Sequence, residues 1–280
     1  MSVEPVMASE SMSKGLDIQW LGQSIRIEYD WVGHAKAKSP VLVFLHEGLG
    51  SLSMWKDFPQ RICDALGVRG FVYSRPGYGK STPRGQAEQW DTDFMHRQAL
   101  EVLPAVLRVA GIKTEETPVW LFGHSDGGSI ALIYAASNPS NVSGLVVLAP
   151  HIMVEELTIK SIESARQAYK TTDLSARLAR YHDEPDSAFW GWNDIWLKPA
   201  FRAWSLENLL PQITSPVLAV QGMDDQYGTM AQIHGIKEAV VHTELLELAD
   251  CGHSPHRDQP EKLISAVTSF FNSHQEQGDK

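Results

Sequence analysis

The sequence predicts an α/β fold. It reads as a mostly parallel, doubly wound sheet with an antiparallel N-terminal hairpin and an inserted helical cap. Three observations predict it. Short strand-like stretches at 40–45, 70–74, 119–122, 142–148, 217–221 and 241–248 alternate with helical patterns. Residues 16–21 and 24–29 alternate apolar and polar side chains across Gly22-Gln23, as a half-exposed hairpin does. Between 151 and 211 the rhythm breaks, and only helical patterns occur. Such an interruption fits an insertion over the C-terminal edge of the sheet, where these folds bind ligands. The expected layout is a disordered tail at 1–15, a core made of 16–150 and 212–275, and a helical cap at 151–211.

Each element has its own warrant. The run at 40–45 is continuously apolar, as in a strand buried on both faces. Trp55, Phe58, Ile62 and Leu66 recur at helical spacing after it. Arg75-Pro76-Gly77-Tyr78-Gly79-Lys80-Ser81 is a loop, and Asp91 or Thr92 is placed to cap a long helix through Val109. A helix is expected at 228–239, and a closing helix runs through Phe271 after a loop at 249–260.

Composition narrows the function. The chain has 280 residues and 43% hydrophobic content, enough for one large α/β domain. Its net charge is −10. Without a basic stripe to release counterions, nucleic acid and anionic membrane are excluded as main partners. Cys63 and Cys251 lie far apart and form no metal-like pair, which suits a reduced compartment. No run is long enough to span a bilayer, and the polar N-terminus lacks a basic segment followed by an apolar one. The expectation is a cytoplasmic enzyme acting on a small-molecule substrate. A homodimer is left open.

The chemistry centres on Gly123-His124-Ser125-Asp126-Gly127-Gly128, which follows an apolar strand and opens an apolar helix ending at Asn138-Pro139. Gly-x-Ser-x-Gly in that context is a nucleophile elbow: the turn lifts Ser125 above the strand end and needs neighbours with almost no side chain. A serine hydroxyl needs a base within hydrogen-bond reach, and the base needs an orienting acid. His253, just after Gly252 in the loop behind the last strand, is the preferred base, with His256 as competitor. The acid is expected in Gly222-Met223-Asp224-Asp225, with Asp225 preferred over Asp224. The backbone amides of Asp126 and Gly48 are the expected oxyanion donors. Glu47 and Asp126 place two carboxylates near the centre. Glu47 is expected to accept loop amides or touch substrate, and Asp126 to pair with a cation such as Arg75. Four of nine tryptophans, Trp190, Trp192, Trp196 and Trp204, fall in the inserted segment. Most should form its small core, and one or two should line an apolar pocket. No metal-ligand spacing and no cofactor motif occurs.

Taken together, His46-Glu47-Gly48-Leu49-Gly50, residues 75–81, the serine turn, Gly222-Met223-Asp224-Asp225 and Gly252-His253 resemble the α/β-hydrolases with a helical cap. The likeness covers about residues 16–271. It implies Asp225 as the acid, since the family's acid falls three residues after the glycine closing its strand. The chain departs from the family's usual His-Gly at His46-Glu47. The resemblance implies a serine hydrolase cleaving an ester of a small apolar, aromatic or alicyclic molecule. A carbon–carbon bond hydrolase of ring-cleavage products, an enol-lactonase and a thioesterase use the same residues, and a non-catalytic receptor on this fold is the rival of another class.

Overall fold

The computed structural model describes residues 14–34, 39–85 and 88–275. Strands β1 (Lys14–Trp20), β2 (Gln23–Gly33), β3 (Val41–Leu45), β4 (Arg69–Tyr73), β5 (Val119–His124), β6 (Gly144–Leu148), β7 (Val217–Gly222) and β8 (Thr243–Leu248) form one sheet. The spatial order is β1-β2-β4-β3-β5-β6-β7-β8. Only β2 runs against its neighbours: it pairs antiparallel with β1 and β4, and every later pairing is parallel.

Alternation along the buried strands builds two cores. Val43, Leu45, Leu121, Val147 and Ala219 face one side, with α4 (below) against them. Leu42, Phe44, Phe122, Val146 and Val220 face the other, with the first and last helices. At about 1.5–3 kcal/mol per buried aliphatic or aromatic side chain, these faces fix the register of every strand end.

The helices are α1 (Phe58–Leu66), α2 (Phe94–Arg97), α3 (Leu103–Val109), α4 (Asp126–Ser137), α5 (Glu156–Thr171), α6 (Leu174–Leu178), α7 (Pro185–Trp196), α8 (Ala231–Ala239), α9 (Pro255–Asp258) and α10 (Pro260–Gln275). Residues 126–136 of α4 are buried on all sides. A helix apolar all round belongs inside a fold, and this one gives Ser125 a rigid seat.

Several expectations need correction. The hairpin turn is Leu21-Gly22, both at positive φ, with Gln23 already paired to Trp20. That is a two-residue type I′ turn, whose twist matches the strands. β1 starts at Lys14, within the stretch expected as a tail; the rest of that stretch, residues 1–13, lies outside the described residues. The long helix before β5 is interrupted by a π turn at Gln98–Val102. Pro104 explains it: with no N–H and a ring that crowds the preceding turn, it cannot continue a regular α-helix. Neither Asp91 nor Thr92 caps that helix; Asp93 holds the cap position, without a side-chain bond. Trp55 closes a 3₁₀ turn, separated from α1 by Lys56 at positive φ. The loop after β8 contains the short helix α9.

Between β6 and β7 the described chain has helices and one isolated bridge, Met153 with Ser205. Tyr169 stacks on Phe189 at 3.8 Å between ring centroids, and Phe201 on Trp204 at 5.3 Å, so large aromatics form this segment's own core.

Leu21 is 51% exposed and sits in the left-handed region, so its side chain contributes strain without burial. Leu21→Asn should raise stability by about 1 kcal/mol. A urea midpoint that stays level or falls would contradict this turn assignment.

Candidate active site

Ser125 lies between β5 and α4 at φ 53° and ψ −120°, a conformation that side chains rarely adopt. Its amide donates to the Leu148 carbonyl at 2.9 Å, which pins the turn to the next strand. A Cβ at Gly123 would overlap the Gly127 backbone, and one at Gly127 would overlap the Leu45 carbonyl. The glycines are therefore required by close backbone approach. Ala149 and Asp250, just past β6 and β8, also take positive φ. Strain thus collects at the C-terminal edge of the sheet.

The strand order sets β5, β6, β7 and β8 side by side, and their following loops converge. Ser125 Oγ lies 2.9 Å from His253 Nε2, and His253 Nδ1 lies 2.9 Å from both Asp225 carboxylate oxygens. A carboxylate only accepts, so Nδ1 carries the hydrogen and Nε2 is left to accept from the serine. Asp225 is itself held by the Tyr227 amide at 2.7 Å and the Gln221 side chain at 2.8 Å. Burial opposes its ionisation, but the His253 hydrogen bond and charge and the Tyr227 amide outweigh burial and hold its pKa below the ordinary carboxylate value. The structure brings Ser125, His253 and Asp225 together. Asp224 is exposed; its amide donates to the Cys251 carbonyl, tying the two loops. His256 is buried under the loop against Trp55, Phe58 and His124, and neither ring nitrogen has a partner.

Peptide geometry aims the second amide. The Glu47 carbonyl accepts from His46 Nδ1 at 2.7 Å, Arg75 Nη2 at 2.9 Å and the Gly50 amide at 3.0 Å. In a planar trans peptide the N–H points opposite to the C=O. The Gly48 N–H therefore points away from His46 and Arg75, and Gly48 lies on the pocket wall with Ser125. Asp126 opens α4, so its N–H has no partner within the helix. Gly48 and Asp126 both line the pocket with Ser125.

The carboxylates have separate surroundings. Glu47 does not accept loop amides with its side chain. It lies 3.4 Å from His124 Nδ1 and 3.9 Å from Arg257. Burial would raise its pKa, yet the hydrogen bond and charge of His124 help hold it well below the ordinary value. His124 Nε2 donates to the His253 carbonyl at 2.7 Å, so the residue before Ser125 also steadies the His253 loop. Asp126 lies 3.9 Å from Arg75 and accepts from Trp196 Nε1 at 3.2 Å, as a structural acid would. Burial still pushes its pKa up to about 6, against the pull of Arg75.

Beside Ser125 is a cavity of about 110 Å³, lined among others by Thr158, Ile162, Trp192, Trp196 and Tyr227. It is smaller than typical ligand pockets of roughly 300–1,000 Å³, so it suits a small group. The larger cavity, about 460 Å³, is a polar groove between β2 and residues 179–183, away from the serine. Trp192 and Trp196 line the serine pocket. Trp190 packs on Tyr169 and Phe189, and Trp204 on Phe201 and Trp196, so both belong to the segment's core. No lysine or arginine lines the pocket. Arg166, Arg177 and Arg202 bond acids of their own segment instead. Among the described residues no group of three or more His, Cys, Asp or Glu side chains could hold a metal ion, and no helix is long and apolar enough to cross a membrane. Sequence reasoning missed His151, Tyr227 and the His124 bond; only the fold shows that these residues meet at the serine.

Burial lowers the pKa of His46, His151, His182 and His256, that of His151 to about 3. Unfolded histidine takes up a proton near pH 6.5, so below that pH the unfolded chain binds more protons and stability falls. Each such histidine costs about 1.4 kcal/mol per pH unit. The denaturation midpoint should drop steeply from pH 7 to pH 5, and His256→Phe should flatten the slope by about one proton. Asp126 works in the opposite direction between about pH 4 and 6 but is one group against four. A level midpoint over this range would contradict neutral burial.

Residues 42–266 match the Alpha/beta hydrolase family. The 2-succinyl-6-hydroxy-2,4-cyclohexadiene-1-carboxylate synthase of Escherichia coli O1:K1 is 24% identical over 263 residues, covering 85% of this chain and 96% of that one. The proline iminopeptidase of Mycobacterium smegmatis superposes with a TM-score of 0.74 at 18% identity, over 95% of this chain and 100% of that one. The meta-cleavage product hydrolase of Pseudomonas fluorescens superposes with a TM-score of 0.70 at 18% identity, over 92% and 98%. At these identities the superpositions speak to the fold alone. With that fold and the serine turn in place, the family match over most of the chain shows that this protein belongs to the alpha/beta hydrolase family of enzymes.

Proposed function

We propose that the protein is a serine hydrolase that cleaves an ester of a small, uncharged and largely apolar molecule through an acyl-enzyme. The observation that carries this reading is the unbroken hydrogen-bonded series from Ser125 through His253 to Asp225 beside a small apolar pocket. Ser125 attacks the carbonyl while His253 Nε2 takes its proton. Asp225 holds the imidazole and stabilises its charge. The amides of Gly48 and Asp126 receive the oxyanion, and His253 returns the proton to the leaving alcohol. Water, activated by the same histidine, then releases the acid.

The helical segment 151–211 acts as a cap, since Thr158 and Ile162 from α5 and Trp192 and Trp196 from α7 close the pocket over the serine. Trp192 lies directly against Gly48, where any side chain would collide with its indole. The acidic lining favours uncharged substrates. Glu47 and Asp126 line the pocket and no lysine or arginine does, so a substrate carboxylate there would find no cation to pair with.

Carbon–carbon cleavage or carbanion chemistry is the second reading, because one relative is named as the synthase of a cyclohexadiene carboxylate. The missing cation in the pocket weighs against a carboxylated substrate for this chain. A receptor role would leave the serine, histidine and acid without reason to be aligned.

The test is labelling with a fluorophosphonate, read by mass spectrometry, on the wild type, Ser125→Ala and His253→Ala, with hydrolysis of p-nitrophenyl esters alongside. Label on Ser125 that is lost in both variants is expected, with uncharged acyl groups turned over faster than carboxylated ones. An unlabelled Ser125 in the folded wild type would sink the proposal.

A further inference from the structure

His151, the residue after Pro150 at the end of β6, is not used by the mechanism above. It is only 2% exposed, yet it lines the serine cavity. Its Nδ1 is shut off from solvent and has no hydrogen-bond partner. The ring lies edge-on to Trp196 at 4.9 Å and 5.9 Å from the His253 ring, centroid to centroid.

An unspent polar ring in an apolar wall costs free energy, so its presence needs a reason. Loose packing does not supply one. Ser129 Oγ accepts from the His151 amide at 3.1 Å and donates to its carbonyl at 2.6 Å. Ser129 is four residues past Ser125 on α4, so His151 is fixed relative to the nucleophile within about one helical turn. Nearby, Thr158 Oγ1 donates to the Tyr227 carbonyl at 2.5 Å, and the Tyr227 amide serves Asp225.

We propose that His151 is a substrate-recognition residue that hydrogen-bonds an uncharged oxygen, a hydroxyl or a ketone, carried on the acyl group near the scissile carbonyl. The inference deepens the serine hydrolase reading and rests on it. Burial holds the imidazole neutral, with its pKa near 3, so it offers one donor and one acceptor rather than a charge. Neither ring nitrogen has a protein partner among the described residues, so Nε2, the one not shut off, can donate to a ketone or accept from a hydroxyl. The site would then take a hydroxy- or keto-ester in preference to a plain alkyl ester.

The test compares Ser125 phosphonylation rates for matched alkyl fluorophosphonates. One probe is unsubstituted, and the others carry a hydroxyl or ketone on the second, third or fourth carbon from phosphorus. In the wild type one oxygenated position should react about tenfold faster than the plain chain. His151→Phe should abolish that preference, read as the ratio of the oxygenated to the plain rate, and His151→Gln should restore part of it. Equal rates for plain and oxygenated probes in the wild type would overturn the proposal. So would a preference that survives His151→Phe, or an equal loss for all probes in that variant, which marks a merely structural residue. Wild type that takes no label would overturn the hydrolase reading, and this inference with it; normal labelling without a preference dependent on His151 overturns this inference alone.

Discussion

Everything in the site depends on the 2.9 Å contact between Ser125 Oγ and His253 Nε2, which joins residues 128 apart in sequence. Neither loop could hold that distance alone. The parallel sheet does so, because β5 and β8 are registered through β6 and β7 by parallel pairings, with β5, β6 and β7 buried throughout. The strained Ser125 backbone persists because the glycine contacts and the Leu148 bond over-determine it. A one-residue slip of any of these strands would move the attached loop and break the series.

Electrostatics is the second constraint. Arg75 lies 3.9 Å from Asp126 and His124 Nδ1 lies 3.4 Å from Glu47, and no lysine or arginine lines the pocket to meet a substrate anion. Arg75 does further work through geometry. With His46 it captures the Glu47 carbonyl and so turns the Gly48 amide the other way. His46 can do this only as a neutral ring, since its Nε2 accepts from the Arg75 amide. His46-Glu47, where the resembled family has His-Gly, therefore leaves the Gly48 amide turned away from His46 and Arg75 and adds an acid beside His124.

Much of this was legible in the chain. Apolar runs gave the buried strands β3, β5, β6 and β7, because strands covered on both faces must be apolar throughout, while the edge strand β8 mixes buried and exposed residues. Gly123, Ser125 and Gly127 announced the elbow through sterics that no larger residue satisfies. Asp225 and His253 followed from their places after strand ends. Other features were not legible. Trp190 and Trp204 are as apolar as Trp192 and Trp196, and only tertiary packing decides which two face the serine. His151 follows a strand like many loop residues, and its importance lies in what fails to bond it. The turn at Leu21-Gly22 was displaced by one residue because leucine carries no signal for positive φ.

The central claim is that Asp225 fixes the hydrogen on His253 Nδ1 and leaves Nε2 bare towards Ser125. Nitrogen-15 NMR of selectively labelled histidines, with His253→Ala for assignment, reads this directly. The account predicts that at neutral pH His253 carries its hydrogen on Nδ1, strongly hydrogen-bonded, and that Asp225→Asn weakens or reverses that preference. A wild-type His253 protonated on Nε2, or one that exchanges freely between the two forms, would contradict it.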